Sequence, residues 1–233
     1  MDAVILAGGK GTRMDNAAPK PLVMIGDKHL IQHQIDYILG KVDRIIVSTG
    51  YRAEEVEKFV QGLYPRFTDG KYCKSEIYFS RENESLGTAG GLKKALNMTV
   101  RDETIAFNCD DITDIPISRL EHIAENTICV ANPTLSFGRV VINKDGYVDS
   151  FREKEKMDGF WVSCGWYKFI VNNKFYDSLP DKGMLEFDVF PKMKLKAYLH
   201  TGFWKAINTR KDVEEFNRLA KLYQVFSRLY NRR

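Results

Sequence analysis

The first half of the chain alternates short β-branched runs with longer stretches of amphipathic helical periodicity. This alternation is typical of an α/β domain, in which helices flank a mostly parallel, mixed sheet. The predicted strands cover residues 4–6, 44–49, 76–80, 104–108 and 128–131, and the predicted helices cover residues 30–39, 53–61, 90–96 and 118–125, the last with Ser118 as its N-cap.

The pattern changes after about Pro133 to closely spaced strands, which we predict at residues 138–142, 147–153 and 161–169. The turn at residues 144–146, with the sequence KDG, joins the first two strands as a hairpin. We expect this smaller antiparallel portion to form a lid or wall. A final helix is predicted over residues 211–230, because apolar residues recur there on one stripe: Val213, Phe216, Leu219, Ala220, Tyr223, Phe226 and Leu229.

Composition narrows the class of protein. With 233 residues, 44% of them hydrophobic, the chain can bury a core without disulfides or structural metal. Its 35 basic and 31 acidic residues leave a net charge of +4, too thinly spread for a binder of nucleic acid polymers. The four cysteines are far apart, which favours reduced, buried thiols. We see no leader-like start and no apolar run of membrane-spanning length, so we expect a cytoplasmic protein that does not enter a membrane.

A glycine-rich segment follows the first predicted strand. Residues 7–13 read AGGKGTR, and Lys20 follows in the segment APKP, residues 18–21. Glycines let the backbone approach a ligand and present N–H groups to phosphate oxygens, while Arg13 and Lys20 can neutralise a polyphosphate. The spacing fits neither a Walker loop nor a dinucleotide-binding loop. The segment therefore predicts a phosphate cradle, although a tight turn alone could also use such glycines.

The stretch LAGGKGTRM, continued by PKPLVMIG at residues 19–26, resembles the N-terminal signature of sugar-1-phosphate nucleotidyltransferases. The resemblance implies a Rossmann-like fold, with Arg13 and Lys20 holding the triphosphate and the sugar phosphate. It makes Arg13, Lys20 and Asp110 the catalytic residues. The nucleotide-binding residues that it implies are Leu6, Ala7, Gly8, Gly9, Gly11, Thr12 and Arg13, together with Glu82, Gly87 and Thr88.

The segment ENESLGTAG, residues 82–90, resembles the part of the family that closes over the nucleotide base. A helix N-terminus at Thr88 is the alternative interpretation. The family commonly places a side chain on the base edge at the position of Glu82. A carboxylate only accepts hydrogen bonds, so it suits the amino edges of guanine or cytosine somewhat better than uracil or thymine.

Metal binding is implied at two places. Residues 108–111, NCDD, resemble the family's N-G-D, whose aspartate binds Mg²⁺, so Asp110 is the predicted ligand, with Cys109 in place of glycine. Asp111 would be a solvent-facing or supporting group, and helix capping is the alternative for either aspartate. The segment GFWKAINT, residues 202–209, resembles G-F-W-x-x-M-D-T, which puts Asn208 at the second metal position. Another alignment puts that position at Ala206, which has no ligand atom.

The sugar side of the site rests on three further matches. Residues 151–154, FREK, resemble F-x-E-K, in which Glu153 would hold sugar hydroxyls and Lys154 the sugar phosphate; seen alone, they are a charged strand end. Residues 159–167, GFWVSCGWY, resemble G-x-W-I-N-G-G-F-Y and contribute Gly165. Gly138 is assigned to the same sugar-phosphate site.

The matches run over residues 1–217 and imply a single domain, with a nucleotide-binding half at about 1–132, a sugar-binding half at about 133–210 and a helix at 211–233. The implied reaction joins an NTP to a hexose or heptose 1-phosphate with Mg²⁺. The acceptor oxygens of Glu82 favour CTP or GTP as this NTP. Assembly into a homo-oligomer stays open. The alternative is a regulatory subunit that binds nucleotide sugars without turnover, which Cys109, Ala206 and Asn208 suggest. The presence of Arg13, Lys20 and Asp110 together argues against this alternative.

Overall fold

The computed structural model describes residues 1–11, 14, 18–69, 75–135 and 137–223, with only the backbone of residues 220–223. Its strands are β1 Asp2–Ala7, β2 Met24–Ile25, β3 Lys28–His29, β4 Arg44–Thr49, β5 Glu76–Arg81, β6 Glu103–Asn108, β7 Asp111–Thr113, β8 Thr127–Ala131, β9 Arg139–Ile142, β10 Val148–Arg152, β11 Val162–Ile170, β12 Lys196–His200 and β13 Trp204–Ala206. Its α-helices are α1 Leu30–Ile38, α2 Ala53–Leu63, α3 Pro65–Thr68, α4 Gly87–Leu96, α5 Ile117–Glu121, α6 Asn173–Ser178 and α7 Arg210–Tyr223, with short 3₁₀ or π turns at Lys20–Leu22, Leu185–Val189 and Phe190–Lys192.

Seven strands form the central sheet in the order β12-β8-β11-β6-β1-β4-β5. Strands β6, β1, β4 and β5 are parallel neighbours, and β12 pairs in parallel with β8. Strand β11 runs antiparallel between β8 and β6. The predicted mostly parallel, mixed sheet flanked by helices is therefore confirmed.

Alternating side chains of the central strands enter two apolar layers, one on each face of the sheet. On β1, Ala3 and Ile5 face the layer that contains α1, whereas Val4 faces the layer that contains α4. The same alternation puts Ile105 and Ala106 of β6 on opposite faces. Both faces are covered by helices, which explains why these strands are continuously apolar in sequence.

The strand order contains a reversal at β1. From β1 the chain adds β4 and β5 on one side, and then crosses to the other side of β1 to add β6. A crevice forms outside the carboxyl ends of two strands at such a switch point, and ligands of open α/β sheets bind there. The glycine-rich segment follows β1 and Asp110 follows β6, so both lie at this crevice.

Two predictions about the fold need correction, and a third is tested over part of its length. The strand predicted at residues 161–169 is not part of a lid, because β11 lies in the middle of the central sheet, where Trp166 and Phe169 are buried. Helix α5 begins at Ile117 after Pro116 and ends at Glu121, so Ser118 is not its N-cap. The final helix begins at Arg210 and is described to Tyr223; the remainder of the predicted helix lies outside the described residues.

The predicted hairpin is confirmed, and so are three of the predicted buried thiols. Strands β9 and β10 form the predicted hairpin, in which Gly146 of the turn has a positive φ of 84°. Cys109, Cys129 and Cys164 are buried free thiols, and Cys73 lies outside the described residues. Within the described part of the chain, the helices are too short or too polar to cross a bilayer.

Two helical glycines provide a matched test of packing. A Cβ at Gly90 in α4 would collide with the backbone carbonyl of Asp181, whereas a Cβ at Gly62 in α2 would meet no atom within 4 Å. We predict that Gly90→Ala lowers the free energy of unfolding by about 1–3 kcal/mol because of overpacking. Gly62→Ala should raise it by about 0.5–1 kcal/mol, because alanine loses less backbone entropy in a helix. Thermal or urea unfolding of both variants measures this, and equal effects at the two sites would contradict the packing of α4.

Candidate active site

A cleft of about 490 Å³ opens at the switch point of the sheet. Its walls combine the predicted nucleotide-binding residues with the predicted catalytic and metal-binding residues. Those that line it are Leu6, Ala7, Gly8, Gly9, Gly11, Lys20, Glu82, Gly87, Thr88, Asp110 and Asn208. Thr12 and Arg13 lie outside the described residues. The structure thus brings together in one cavity segments that are up to two hundred residues apart in sequence.

Lys20 enters the cleft from a rigid turn. Pro19 and Pro21 flank it, and the 3₁₀ turn at Lys20–Leu22 is closed by a hydrogen bond from Leu22 N to Pro19 O of 2.8 Å. Gly11 packs against the lysine stem with a φ of +61°, where a Cβ would approach Lys20 Cβ to 2.8 Å. The close approach requires glycine at this position.

The ammonium group of Lys20 contacts two oxygens. It forms an ion pair with Asp110 Oδ2 and donates a hydrogen bond of 3.1 Å to Asn208 Oδ1. The Lys20 and Asp110 side chains are only 16% and 21% exposed, so the pair is weakly screened by water. Two predicted metal-binding side chains therefore already converge on one positive charge.

A short antiparallel pairing brings Asn208 to Asp110. Strand β13 pairs with β7, with Ala206 opposite Asp111, and Ile207 N donates a 2.9 Å hydrogen bond to Asp110 O. Asn208 is the next residue along the chain. This register places the Asn208 side chain in the cleft, and favours it over Ala206 as the residue at the second predicted metal position.

The backbone around Asp110 is fixed from below by Gln34 of α1. Its buried amide nitrogen donates two hydrogen bonds of 3.0 Å, one to Cys109 O and one to Asp111 O. These carbonyls flank Asp110 on both sides, so a single side chain holds the turn that presents the carboxylate. The Cys109 side chain belongs to the apolar layer beneath the cleft, and burial raises the pKa of its thiol.

Asp111 is buried, which corrects the expectation that it could face solvent. It is 6% exposed, and its carboxylate accepts hydrogen bonds from Trp204 Nε1 at 2.9 Å and Asn108 Nδ2 at 3.2 Å. Gly165 packs on it so closely that a Cβ there would overlap the carboxylate. Burial, and next the negative charge of Asp110, raise the pKa of Asp111 to about 7. Asp110 is therefore the carboxylate better suited to hold a cation.

The oxygens around Lys20 fit a magnesium ion. Mg²⁺ is usually bound in proteins through one or two carboxylates, with phosphate oxygens and water as the other ligands. Asp110 Oδ2 and Asn208 Oδ1 are hard oxygen donors that already share one cation. In the described part of the chain, no group of three or more His, Cys, Asp or Glu side chains is placed to hold a metal ion. The two oxygens beside Lys20 suit a metal that arrives with phosphate ligands.

Glu82 forms the opposite wall, between two glycines. A Cβ at Gly8 or Gly91 would lie 2.8 Å or 2.7 Å from Glu82 Oε1, so the carboxylate occupies space that only glycines leave free. Glu82 Oε1 accepts a 3.0 Å hydrogen bond from Ser48 Oγ, and its Oε2 accepts one of 3.0 Å from Leu86 N. The side chain therefore also ties the segment before α4 to β4.

The sequence analysis missed the segment that completes the cleft near α4. Met184 and Glu186 line the cleft, although no motif marked them, and Ser85 of the segment 82–90 lines it beside them. Thr88 Oγ1 donates a 3.0 Å hydrogen bond to Glu186 Oε2 and accepts one of 2.8 Å from Leu185 N. The turn at 183–186 thereby fixes the start of α4 through side chains that no local sequence pattern relates to one another.

The predicted sugar-binding residues are less closely gathered. Gly165 contacts Asp111 beneath the cleft, Gly138 packs under the Phe151 ring, and Glu153 is exposed. Lys154 lies in a neighbouring pocket of about 610 Å³ that shares Asn208 with the cleft. Its ammonium group pairs with Glu215 of α7 at 3.2 Å. Lys154 thus stands beside the cleft but is engaged elsewhere.

Known proteins resemble this chain over most of its length. A family model described as nucleotidyl transferase matches residues 2–179. The chain is 32% identical over 229 residues to mannose-1-phosphate guanylyltransferase catalytic subunit beta of Drosophila melanogaster, with 90% of this chain and 60% of that protein covered. It thus spans about three fifths of the fly protein's length. It is 29% identical to a probable glucose-1-phosphate cytidylyltransferase of Bacillus subtilis, covering 94% of this chain and 96% of that one.

Solved structures show the same fold. HddC from Yersinia pseudotuberculosis superposes with a TM-score of 0.69 at 26% identity, covering 93% of this chain and 98% of that chain. A second structure of HddC, complexed with GMP-PN, superposes with a TM-score of 0.67 at 27% identity, with the same coverage. The family match covers well over half of the residues. The chain belongs to the nucleotidyl transferase family.

Proposed function

We propose that the protein is a sugar-1-phosphate nucleotidyltransferase, which transfers a nucleotidyl group from an NTP to a sugar 1-phosphate and releases pyrophosphate. The observation that carries this proposal is the contact of the Lys20 ammonium with Asp110 and Asn208, beside the glycine-rich segment after β1. A cation and two oxygen ligands next to a phosphate cradle are what transfer between phosphates requires.

The reaction needs no protein nucleophile. An oxygen of the sugar phosphate attacks the α-phosphorus of the NTP in line, and the bond from that phosphorus to the pyrophosphate oxygen breaks. Catalysis then comes from positioning the two phosphates and neutralising their charges. Mg²⁺, bound by Asp110 and Asn208, would supply positive charge between the phosphates. We assign Arg13 to the departing pyrophosphate, on the resemblance alone.

The two lysines would change partners when substrates bind. Phosphate oxygens of the substrates would compete with Asp110 for the Lys20 ammonium, so Lys20 would exchange the carboxylate for a phosphate and leave Asp110 free to hold Mg²⁺. Lys154 would leave Glu215 to reach the sugar phosphate, and Lys205, which lies 2.7 Å from Glu215, would keep that carboxylate paired. The Lys154–Glu215 pair is half-exposed at the lysine, so breaking it costs little stability.

We propose CTP or GTP as the nucleotide and a hexose or heptose 1-phosphate as the sugar substrate. The cleft volume suits a nucleotide, and the acceptor oxygens of Glu82 suit an amino edge. The named relatives are guanylyl- and cytidylyltransferases, and one structural neighbour is a complex with GMP-PN. Within one domain, residues 1–132 would bind the nucleotide and residues 133–210 the sugar. The free thiols are in keeping with a reducing cytoplasm.

Pyrophosphate release tests the proposed function. The purified chain is mixed with Mg²⁺, each of the four NTPs and a panel of hexose and heptose 1-phosphates. We expect release that depends on both substrates and on Mg²⁺. Binding of nucleotide sugars without any release would contradict the proposal and support a regulatory subunit.

Asp110→Asn tests the proposed metal ligand. We predict that kcat falls roughly 10²-fold or more, because the amide supplies no negative charge to the metal, while its oxygen still accepts from Lys20. The melting temperature should change little. Asp177→Asn, on the exposed side of α6, is the matched control and should retain parental kcat. Activity and Mg²⁺ dependence like those of the parent would place the metal elsewhere.

Glu82→Gln tests how the base is selected. Glutamine can keep both contacts of Glu82, because its oxygen accepts from Leu86 N and its NH₂ donates to Ser48 Oγ, so the fold should survive. We predict that the preference for CTP or GTP over UTP and dTTP, measured as kcat/KM, narrows by about tenfold, the weight of one hydrogen bond to a charged acceptor. An unchanged preference in a folded variant would show that another group reads the base.

A further inference from the structure

The hairpin formed by β9 and β10 is exposed on both faces. Its register fixes which side chains share a face, because Val148 lies opposite Ile142 and Phe151 lies opposite Val140. Cross-strand partners point to the same side of a sheet. A bulge between Val148 and Ser150 adds one residue to β10, so Val148 and Phe151 lie on the same side although they are three residues apart. We define the apolar hairpin face as these four residues: Val140, Ile142, Val148 and Phe151.

The other side of the hairpin is mostly polar, and its two arginines are paired with a carboxylate. It carries Arg139, Ser150 and Arg152 together with Val141. The two arginines both pair with Glu155, at 2.9 Å and 3.1 Å. In a hairpin packed on its own domain, the polar side would face water and the apolar side would be covered. Here the apolar hairpin face is between 44% and 65% exposed at each of its residues.

The apolar hairpin face lies outside the cleft and outside the neighbouring pocket. Among the described residues that line the cleft or the neighbouring pocket, none comes from this face. Strands β9 and β10 form a separate two-stranded sheet, and such an isolated ribbon is marginally stable in water. The hairpin therefore needs an apolar surface from elsewhere to cover it.

We propose that the apolar hairpin face is the interface through which two copies of the chain associate face to face. A two-fold arrangement brings the same patch from both copies together, so a surface without charges meets its own complement. The four side chains expose on the order of 400 Å² per copy, the size of patch that marks association sites. Two such patches supply most of the apolar area in a standard interface of about 1,600 Å².

Two adjacent residues of β9 give a matched pair of variants. Ile142→Glu places a charge on the apolar hairpin face, whereas Val141→Glu places the same charge on the opposite, polar side, where Val141 is 38% exposed. Sedimentation velocity and light scattering of the full chain, from about 1 to 100 µM, measure the association. We expect a dimer for the parent and for Val141→Glu. Ile142→Glu should raise the dimer dissociation constant at least about tenfold, because its carboxylate would be desolvated.

Hydrogen–deuterium exchange of the unmodified chain adds a measurement that does not depend on a variant. Amides of residues 139–152 should exchange more slowly at high than at low protein concentration, and Ile142→Glu should lose this difference while its melting temperature stays parental. A parent chain that stays monomeric over this whole range of protein concentration overturns the proposal. The apolar hairpin face would then have another role, such as covering substrate or binding another protein. A dimer that survives Ile142→Glu, or exchange in the hairpin that does not depend on concentration, also overturns it.

Discussion

The ammonium group of Lys20 is the point at which the separate parts of the site meet. It touches a carboxylate oxygen that follows β6 and an amide oxygen that follows β13, while its stem packs on the glycine-rich segment after β1. Without the Lys20 ammonium, the partly buried Asp110 carboxylate and the Asn208 Oδ1 oxygen would both lack a donor. Leaving such groups unpaired in a poorly hydrated cleft costs free energy. Before any substrate binds, the cleft therefore carries a positive charge at the place where the proposed reaction needs one.

This contact depends on features that lie well below the cleft. The reversal of strand order at β1 puts the ends of β1 and β6 side by side. Gln34 holds the carbonyls on both sides of Asp110, and the pairing of β7 with β13 delivers Asn208. Asp111 supports the same corner through Trp204 and Asn108. Asp110 and Asn208 are thus positioned by the sheet and by α1, and this part of the site is preorganised before substrates bind.

Much of the fold could be predicted because it follows from local periodicity. Residues 44–49 were predicted as a strand and form β4, and the alternation of strands with helices holds through β8. The position of β11 could not be read in this way, because periodicity identifies a strand but not its neighbours or direction. Strands β7 and β13 have three residues each, too few to show a hydrophobic period. Each is a strand because it pairs with the other. That is why the proximity of Asn208 to Asp110 came only from resemblance.

The candidate site shows the same division. The residues after β1 and β6 could be placed at the cleft because parallel strands share one carboxyl edge. Glu186 and Met184 could not, since they reach the cleft through tertiary contacts with Thr88 and not through a motif. The sequence left open whether Asp111 faces solvent or supports Asp110, and the packing of Gly165 and Trp204 shows that it is buried.

A crystal structure of the chain grown with Mn²⁺ and a non-hydrolysable analogue of GTP or CTP, with the metal located by its anomalous scattering, tests the proposed role of Lys20 and Asp110 most directly. We expect a metal bound to Asp110 and to the nucleotide phosphates in the cleft, with the Lys20 ammonium moved from Asp110 to a phosphate oxygen. A metal and nucleotide bound outside the cleft, or a Lys20–Asp110 contact unchanged beside bound phosphates, would contradict it.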